Sequence, residues 1–181
     1  MQRALILISA SLLVQSIAWA QDPAPAPPPA PPVSPCTLET GPARDFDFWI
    51  GEWQVFNPQT DQLLGTNRIT RREAGCLIVE DWEGARGSTG MSMNFYDAEL
   101  EKWRQVWQSA QILVELAGGL DDEGRMVMEG HVHYHAQDQR RPFRGRWTPN
   151  EDGTVLQEFW EQRDTPAWTP WFIGLYRPAD E

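Results

Sequence analysis

Residues Met91–Gln108 read MSMNFYDAELEKWRQVWQ, two segments of alternating character joined by a short polar turn. A turn over Ala98–Glu101 places Asp97 opposite Lys102 and fixes the register of an antiparallel hairpin. Because side chains alternate between the faces of a strand, each surface of the hairpin has its own composition. One surface carries Ser92, Asn94, Tyr96, Trp103, Gln105 and Trp107, and the other carries Met91, Met93, Phe95 and Val106, with Arg104 and Gln108 at its ends.

The same pattern repeats along the chain on both sides of this hairpin. Turn residues recur after Phe46, and the segments between them are short and rich in Trp, Val, Ile and Phe. No long window shows a helical stripe. We therefore predict an all-β fold, a single antiparallel meander barrel of about ten strands that removes its own edges by closing. The predicted strands are EWQVF, LLGTNRIT, CLIVEDW, GMSMNFY, KWRQVWQ, ILVELAG, RMVMEGHVHYH, PFRGRW, TVLQEFWEQ and WFIGLYR.

The chain before the barrel has two parts of distinct composition. Residues 1–20, MQRALILISASLLVQSIAWA, combine one cation, an apolar run and a small-residue ending, the pattern of a secretory signal peptide. Residues 21–35 are dominated by Pro and Ala and predict a polyproline tether. The barrel domain is then expected over residues 36–181, in an exported protein that is periplasmic or secreted.

The charge of the chain excludes two classes of partner. The formal net charge is −11, which opposes binding to nucleic acid and to anionic membranes. No later apolar run is long enough for a span, so we expect no membrane insertion after signal cleavage. The sequence also offers no motif for a cofactor, and none is expected.

The chain has two cysteines, Cys36 after the tether and Cys76 in the segment AGC. An exported protein meets an oxidising compartment, where such a pair forms a disulfide. We predict that Cys36 and Cys76 are bonded, with two unpaired thiols as the alternative.

The segment FDFWIGEWQVF, from Phe46 to Phe56, leads through an aromatic turn into a first strand. It resembles the calycin superfamily of lipocalins and fatty-acid-binding proteins, in which Gly-x-Trp opens the first strand. Gly51 and Trp53 match this motif, and the resemblance implies that Arg177 of the last strand packs across Trp53 to close one end. The stretches FDFWIGEW, GTNRI, GCLIVEDWEG, STGMSMNFYD, KWRQVW and GLYR more specifically resemble an exported bacterial lipocalin-like barrel family of unknown function.

The run HVHYH, His131–His135, places three histidines at alternating positions of one strand. The residues between them are apolar, so we expect the histidines on the outer face of the barrel. A loop centred on residues 137–138 would set His135 opposite Arg140 and His131 opposite Arg144, with Glu129 opposite Arg146. Three histidines on one straight strand cannot share one ion, and nearby guanidinium groups disfavour a cation. We therefore predict no metal site.

The polar and aromatic surface of the hairpin, defined above, is suited to line a ligand cavity, because such cavities combine aromatic walls with a few fixed polar groups. The alternative is that the methionine surface is the core. With the polar surface inside, Met91, Met93 and Phe95 form an outer apolar patch and a candidate homodimer contact. The predicted ligand-binding residues on the hairpin are Asn94, Tyr96, Trp103, Gln105 and Trp107.

Two further interior residues, Glu80 and Trp82, are placed in the barrel by the resemblance. A carboxylate there must be paired or protonated, so Glu80 is a ligand contact or, by preference, part of a buried network. The leading hypothesis is an exported barrel that binds a small, largely apolar molecule. The second is a structural or interaction module of the cell envelope, filled by its own side chains. The third hypothesis is an enzyme that uses Glu80 or the histidines. It ranks last because the sequence contains no nucleophile motif.

Overall fold

The structure, a computed structural model, describes residues 35–179. The predicted signal peptide over residues 1–20 lies outside the described residues, and so does the predicted tether except for its last residue. Within residues 35–179, no helix combines the length and the apolar character that a membrane span requires.

Ten antiparallel strands form a closed barrel, in which each strand pairs with its neighbours in sequence and the last strand pairs with the first. This confirms the predicted meander, an architecture consistent with a lipocalin-like fold. The helical segments are short 3-10 turns at Pro35–Thr37, Pro42–Arg44, Asp47–Trp49 and Glu73–Gly75. The strands are β1 (Gly51–Phe56), β2 (Leu63–Arg72), β3 (Leu77–Gly84), β4 (Thr89–Asp97), β5 (Lys102–Ser109), β6 (Ile112–Leu120), β7 (Met126–Tyr134), β8 (Gln139–Pro149), β9 (Val155–Gln162) and β10 (Trp168–Pro178).

The β4–β5 hairpin has the predicted register. Asp97 lies opposite Lys102, and the pairing continues regularly to the far end of both strands. Ser92 and Asn94 are fully buried, whereas Met91 and Met93 are 46% and 47% exposed. The polar and aromatic surface of the hairpin therefore faces the barrel interior, and the methionine surface faces outward.

One end of the barrel is filled by the chain segment that precedes β1. This segment, residues 42–50, turns back over the opening and inserts Phe46 and Trp49, which are both fully buried. The Phe46 ring stacks on Trp49 at 4.9 Å and meets the edges of Trp103 at 5.6 Å and Trp147 at 5.2 Å. The Trp103 indole also donates a hydrogen bond of 2.9 Å to the carbonyl of Pro42. We call this packed region the closed end.

A covalent bond joins the chain just before this segment to the barrel. Cys36 and Cys76 form a disulfide, as predicted, and thereby join the start of the described chain to the turn between β2 and β3. The Arg44 guanidinium reinforces the link by donating hydrogen bonds to the carbonyls of Cys36 at 3.1 Å and Gly75 at 3.4 Å. The closed end is therefore held by both packing and a cross-link.

The predicted contact between Trp53 and Arg177 is wrong. Arg177 lies opposite Gln54 on the outer face of the barrel, with its guanidinium 4.4 Å from the ring centre of Phe56 and 2.7 Å from a carboxylate oxygen of Asp61. Side chains alternate along β10, so an outward Arg177 leaves the inward position to Tyr176. Trp53 is buried at the closed end beside this Tyr176, with its ring centre 6.0 Å away.

The histidine register is also wrong, by two residues. The turn covers residues 135–138, so His133 lies opposite Arg140, His131 opposite Pro142 and Glu129 opposite Arg144. A shift of two residues preserves the alternation of side chains, so His131 still points outward, where its ring lies 3.3 Å from the Arg140 guanidinium. Across residues 35–179, no group of three or more His, Cys, Asp or Glu side chains is arranged to hold a metal ion.

Candidate functional site

A cavity of about 280 Å³ occupies the barrel interior away from the closed end. Trp171, at its rim, is 39% exposed, and Ser88 in the β3–β4 turn is exposed as well. We call this region the open end. Its lining is mainly aromatic, with a polar group of side chains at the inner side. The aromatic residues are Trp82, Trp107, Phe143, Phe159, Trp171 and Phe172, and the polar ones include Glu80, Gln105, Gln157 and Tyr176.

Glycines on neighbouring strands create the space that the two wall tryptophans occupy. A Cβ atom at Gly90 of β4 would overlap the Trp107 ring of β5. Likewise, a Cβ atom at Gly65 of β2 would lie only 2.8 Å from the Trp82 ring of β3. The two indoles therefore lie across bare backbone along the barrel wall, and the centre of the open end stays unfilled.

The structure brings some of the predicted site residues together and separates others. Glu80, Trp82, Gln105 and Trp107 line the cavity. Trp103 instead packs in the closed end, and Tyr96 lies beside it with a ring distance of 6.3 Å. Asn94 lies beneath the cavity, where its side-chain oxygen accepts a 2.8 Å hydrogen bond from Gln105. Asn94, Tyr96 and Trp103 therefore do not belong to the cavity lining.

Glu80 is buried and belongs to a hydrogen-bonded network, as predicted. One carboxylate oxygen accepts a 2.7 Å hydrogen bond from the Asn67 amide, and the other accepts a 2.6 Å hydrogen bond from the Ser92 hydroxyl. Burial raises the pKa of Glu80 to about 7, because the two hydrogen bonds only partly offset the loss of hydration. Glu80 therefore changes its protonation state near neutral pH.

The network continues across the barrel through neutral groups. The Asn67 amide also donates to the Tyr176 hydroxyl at 3.1 Å, and this hydroxyl donates to the side-chain oxygen of Gln157. On the opposite side, the Asn94 amide donates to the Ser92 hydroxyl at 2.8 Å. Burial, together with the charge of Glu80, raises the pKa of Tyr176 well above its usual range, so the phenol remains protonated.

A second buried carboxylate, Glu161, was not predicted from the sequence. It accepts a 2.7 Å hydrogen bond from the Tyr134 hydroxyl and another from Arg163, and Arg141 lies 3.5 Å away. Burial alone would raise the pKa of Glu161, but these hydrogen bonds and the two guanidinium charges hold it below its usual value. The Trp171 indole, which lines the cavity, donates a 2.9 Å hydrogen bond to Tyr134 and so connects the rim to this cluster.

A signal for these additional residues does exist in the sequence. Within the segment TVLQEFWEQ, Gln157 and Glu161 have the same parity as Val155 and Phe159, which makes them interior residues once the apolar set is taken as the inner face. Asn67 similarly alternates with Gly65 and Ile69 in β2. Alternation therefore identifies the interior polar residues, although it does not show which of them contact each other.

Comparisons with known proteins assign no family to the chain. No protein-family model matches it, and no curated protein matches it.

Proposed function

We propose that this protein is an exported barrel of the lipocalin-like type that binds a small, largely apolar molecule at its open end. The observation that carries the proposal is the cavity of about 280 Å³, with its aromatic walls and its buried polar group around Glu80. Ligand sites in proteins have this composition, in which apolar walls provide affinity and a few polar groups select the ligand.

The volume of the cavity limits the size of the ligand. It lies near the lower end of the range of about 300–1,000 Å³ that is usual for small-molecule sites. An apolar cavity of about 150 Å³ accommodates benzene, so this one accommodates a molecule of one or two rings. Long-chain fatty acids and haem exceed that size, and we propose compact ligands instead.

Export is the second part of the proposal. The Cys36–Cys76 disulfide requires an oxidising environment, which the periplasm or the extracellular space provides. The composition of residues 1–20 and the resemblance to exported lipocalin-like barrels support the same compartment. The disulfide lies at the closed end, so oxidation would stabilise the barrel without using a cavity residue.

An interaction module of the cell envelope is the second candidate function, and an outer patch favours it. Met91 and Met93 are half-exposed neighbours on β4, and Phe95 continues their row. A homodimer through this patch would cover apolar surface that is otherwise in contact with water. Sedimentation of the protein and of Met93→Glu tests this: a dimer that the substitution dissociates supports the contact, and a wild-type monomer contradicts it.

A fluorescence titration tests the binding function. The protein is titrated with isoprenoids, fatty acids, aromatic metabolites and haem, and tryptophan emission is followed because indole rings form the cavity wall. Trp107→Ala removes one wall and should weaken binding at least roughly tenfold. Gln105→Leu should change which compounds bind, because a polar ligand group loses its partner. Trp160→Ala is the matched control, since this indole packs against Arg144 and Arg146 away from the cavity lining.

Each outcome of the titration has a definite meaning. Saturable binding of compact ligands that weakens in Trp107→Ala but not in Trp160→Ala supports the cavity as the site. Saturable binding that ignores both Trp107→Ala and Gln105→Leu places the site elsewhere. Failure of every compound to bind would favour the interaction module over the binding barrel.

A further inference from the structure

We infer that the ligand of the open end is an arylalkylamine, a compact aromatic molecule with a protonated nitrogen that pairs with the Glu80 carboxylate. This inference rests on the proposed binding function and specifies the chemical class of the ligand. It follows from a charge that the barrel leaves without a partner and from the composition of the walls around that charge.

Glu80 has no cation among its partners. Its two hydrogen-bond donors, Asn67 and Ser92, are neutral, and none of the described residues that line the cavity is Lys, Arg or His. The charge of Asp81, which also raises the pKa of Glu80, has the same sign. A buried carboxylate is costly unless a positive charge compensates it.

The other buried carboxylate shows that this barrel does compensate such a charge where no ligand is needed. Glu161 has two guanidinium groups, Arg163 and Arg141, in addition to the Tyr134 hydroxyl. Both carboxylates belong to the same interior, yet only Glu80 lines the cavity. The structure therefore leaves an uncompensated carboxylate in the lining of the interior cavity, where a small molecule can reach it.

The hydrogen-bonding capacity of Glu80 is not exhausted by the network. Each carboxylate oxygen accepts one hydrogen bond in the structure, and an ionised carboxylate has about four acceptor positions in total. An ammonium group could therefore donate to Glu80 without displacing Asn67 or Ser92. The side chains of Gln105 and Gln157 also line the cavity and provide further polar contacts for the same head group.

The cavity walls suit both parts of an arylalkylamine. Trp82, Trp107 and Phe172 provide aromatic surface, which attracts cations through the ring quadrupole and packs against an aromatic body. The net charge of −11 attracts cations to the protein as a whole. A single ring with a short amine arm is also within the size limit that the cavity volume sets.

The pH dependence of binding follows from the groups that face Glu80. Asn67 of β2 and Ser92 of β4 are neutral, Tyr176 of β10 stays protonated, and Asp81 is the neighbouring carboxylate on β3. Glu80 has a pKa of about 7, so the fraction of the protein with an ionised Glu80 rises between pH 6 and pH 8. A cationic ligand binds this ionised form, and its affinity should rise over the same range. Amine binding below neutral pH should therefore release a proton from Glu80.

Calorimetric titration with matched ligand pairs tests the inference. The probes are 2-phenylethylamine and 2-(2-naphthyl)ethylamine, each compared with its alcohol of equal length, at pH 6, 7 and 8. We expect each amine to bind at least roughly tenfold tighter than its alcohol at pH 8, with amine affinity falling roughly tenfold by pH 6. Glu80→Gln should abolish both differences, and Glu83→Gln, an exposed site on the same strand, should preserve them.

The possible results separate the ligand class from the binding function. Alcohols that bind as tightly as the amines at pH 8, or amine affinity that does not fall between pH 8 and pH 6, would overturn the amine inference and leave the binding barrel standing. Failure of both amines to bind would overturn the amine inference, and the binding function is overturned with it only if the fluorescence titration also detects no ligand. The pH series and the amine to alcohol ratio are measured on the wild-type protein, so the test does not depend on the folding of Glu80→Gln.

Discussion

The two ends of this barrel contain the same kinds of side chain but use them differently. At the closed end, Phe46 and Trp49 insert from the preceding segment and pack against Trp103 and Trp147. At the open end, a comparable number of aromatic rings surrounds a cavity of about 280 Å³. The difference arises from the inserted segment and from the wall glycines, so aromatic content alone does not distinguish a core from a binding site.

Two tryptophans of β5 show how local this difference is. Trp103 and Trp107 lie on the same face of one strand, a little over 13 Å apart at about 3.3 Å per residue. Trp103 contacts the inserted Phe46, whereas Trp107 lies over Gly90 and lines the cavity. We therefore expect substitutions at the closed end to affect stability, and substitutions at the open end to affect ligand binding.

The largest effect is expected from truncating the inserted aromatic. Phe46→Ala removes a fully buried ring with four aromatic neighbours, so it should lower the free energy of unfolding by about 3–5 kcal/mol. Phe172→Ala is the matched change at the open end and should cost about 1–2 kcal/mol, because one side of that ring faces the cavity. Urea unfolding of both variants measures the difference, and equal losses would contradict the distinction between the two ends.

Loss of the disulfide should lower the free energy of unfolding by a similar amount. The bond closes a loop of 40 residues, for which the chain-entropy relation gives about 4 kcal/mol. The double substitution Cys36→Ala and Cys76→Ala should therefore shift the urea midpoint strongly, while ligand affinity of the folded protein should change little. A large fall in affinity with unchanged stability would show that the link supports the cavity instead.

Glu80 should make stability depend on pH with a specific sign. Its pKa is about 7 in the folded protein against 4.5 for an ordinary glutamate, so between these values the folded chain holds a proton that the unfolded chain has lost. The contribution of Glu80 to the free energy of unfolding therefore falls as the pH rises from 4.5 to 7, by up to about 3 kcal/mol. Relative to wild type, Glu80→Gln should gain stability between pH 5 and pH 8 in urea unfolding, and parallel profiles would refute the raised pKa.

The next effect concerns affinity. Trp107→Ala should weaken binding of a compact aromatic ligand at least roughly tenfold, which corresponds to about 1.4 kcal/mol, with a smaller loss of stability than Trp103→Ala. Trp103→Ala should lower the free energy of unfolding more and leave ligand affinity nearly unchanged, because the Trp103 ring belongs to the closed end. Paired measurements of dissociation constant and urea midpoint give both numbers for each variant. The comparison of the two ends fails if Trp103→Ala alone reduces affinity.

The smallest effect is expected from Arg177→Ala. Its guanidinium is partly exposed, packs over Phe56 and pairs with the exposed Asp61, so its loss should cost less than about 1 kcal/mol. Had Arg177 packed over the buried Trp53, the loss would be larger. A melting temperature lowered by many degrees would therefore support a role at the closed end that the structure does not show.

The sequence predicts the barrel well because alternation and turn chemistry are local signals. The tight turn at residues 98–101 determines the whole β4–β5 register, and that register is confirmed. The β7–β8 turn covers residues 135–138, one residue earlier in the chain than predicted, so the partners of the β7 histidines differ from the prediction by two residues while their outward direction is retained. Such an error arises because moving a turn by one residue changes each cross-strand partner by two residues, which leaves the buried face of both strands unchanged.

The site is harder to predict because it depends on contacts across the barrel. No local pattern shows that Phe46 reaches Trp103, which removes Trp103 from the cavity lining. Nor does one show that Arg163 and Arg141 converge on Glu161 while Glu80 receives only neutral partners. The resemblance to lipocalins implies that Arg177 packs over Trp53, whereas the alternation of side chains along β10 assigns the inward position to Tyr176.

A crystal structure of the protein under xenon pressure tests most directly whether the open end is a ligand-accessible cavity. Xenon enters apolar cavities without needing a specific ligand, so the test is independent of the amine inference. We expect xenon between Trp107, Phe143 and Phe159 at the open end, and none among Phe46, Trp49 and Trp147 at the closed end. An interior without xenon at the open end, with Trp107 or Trp171 turned inward to fill the space, would contradict the binding barrel.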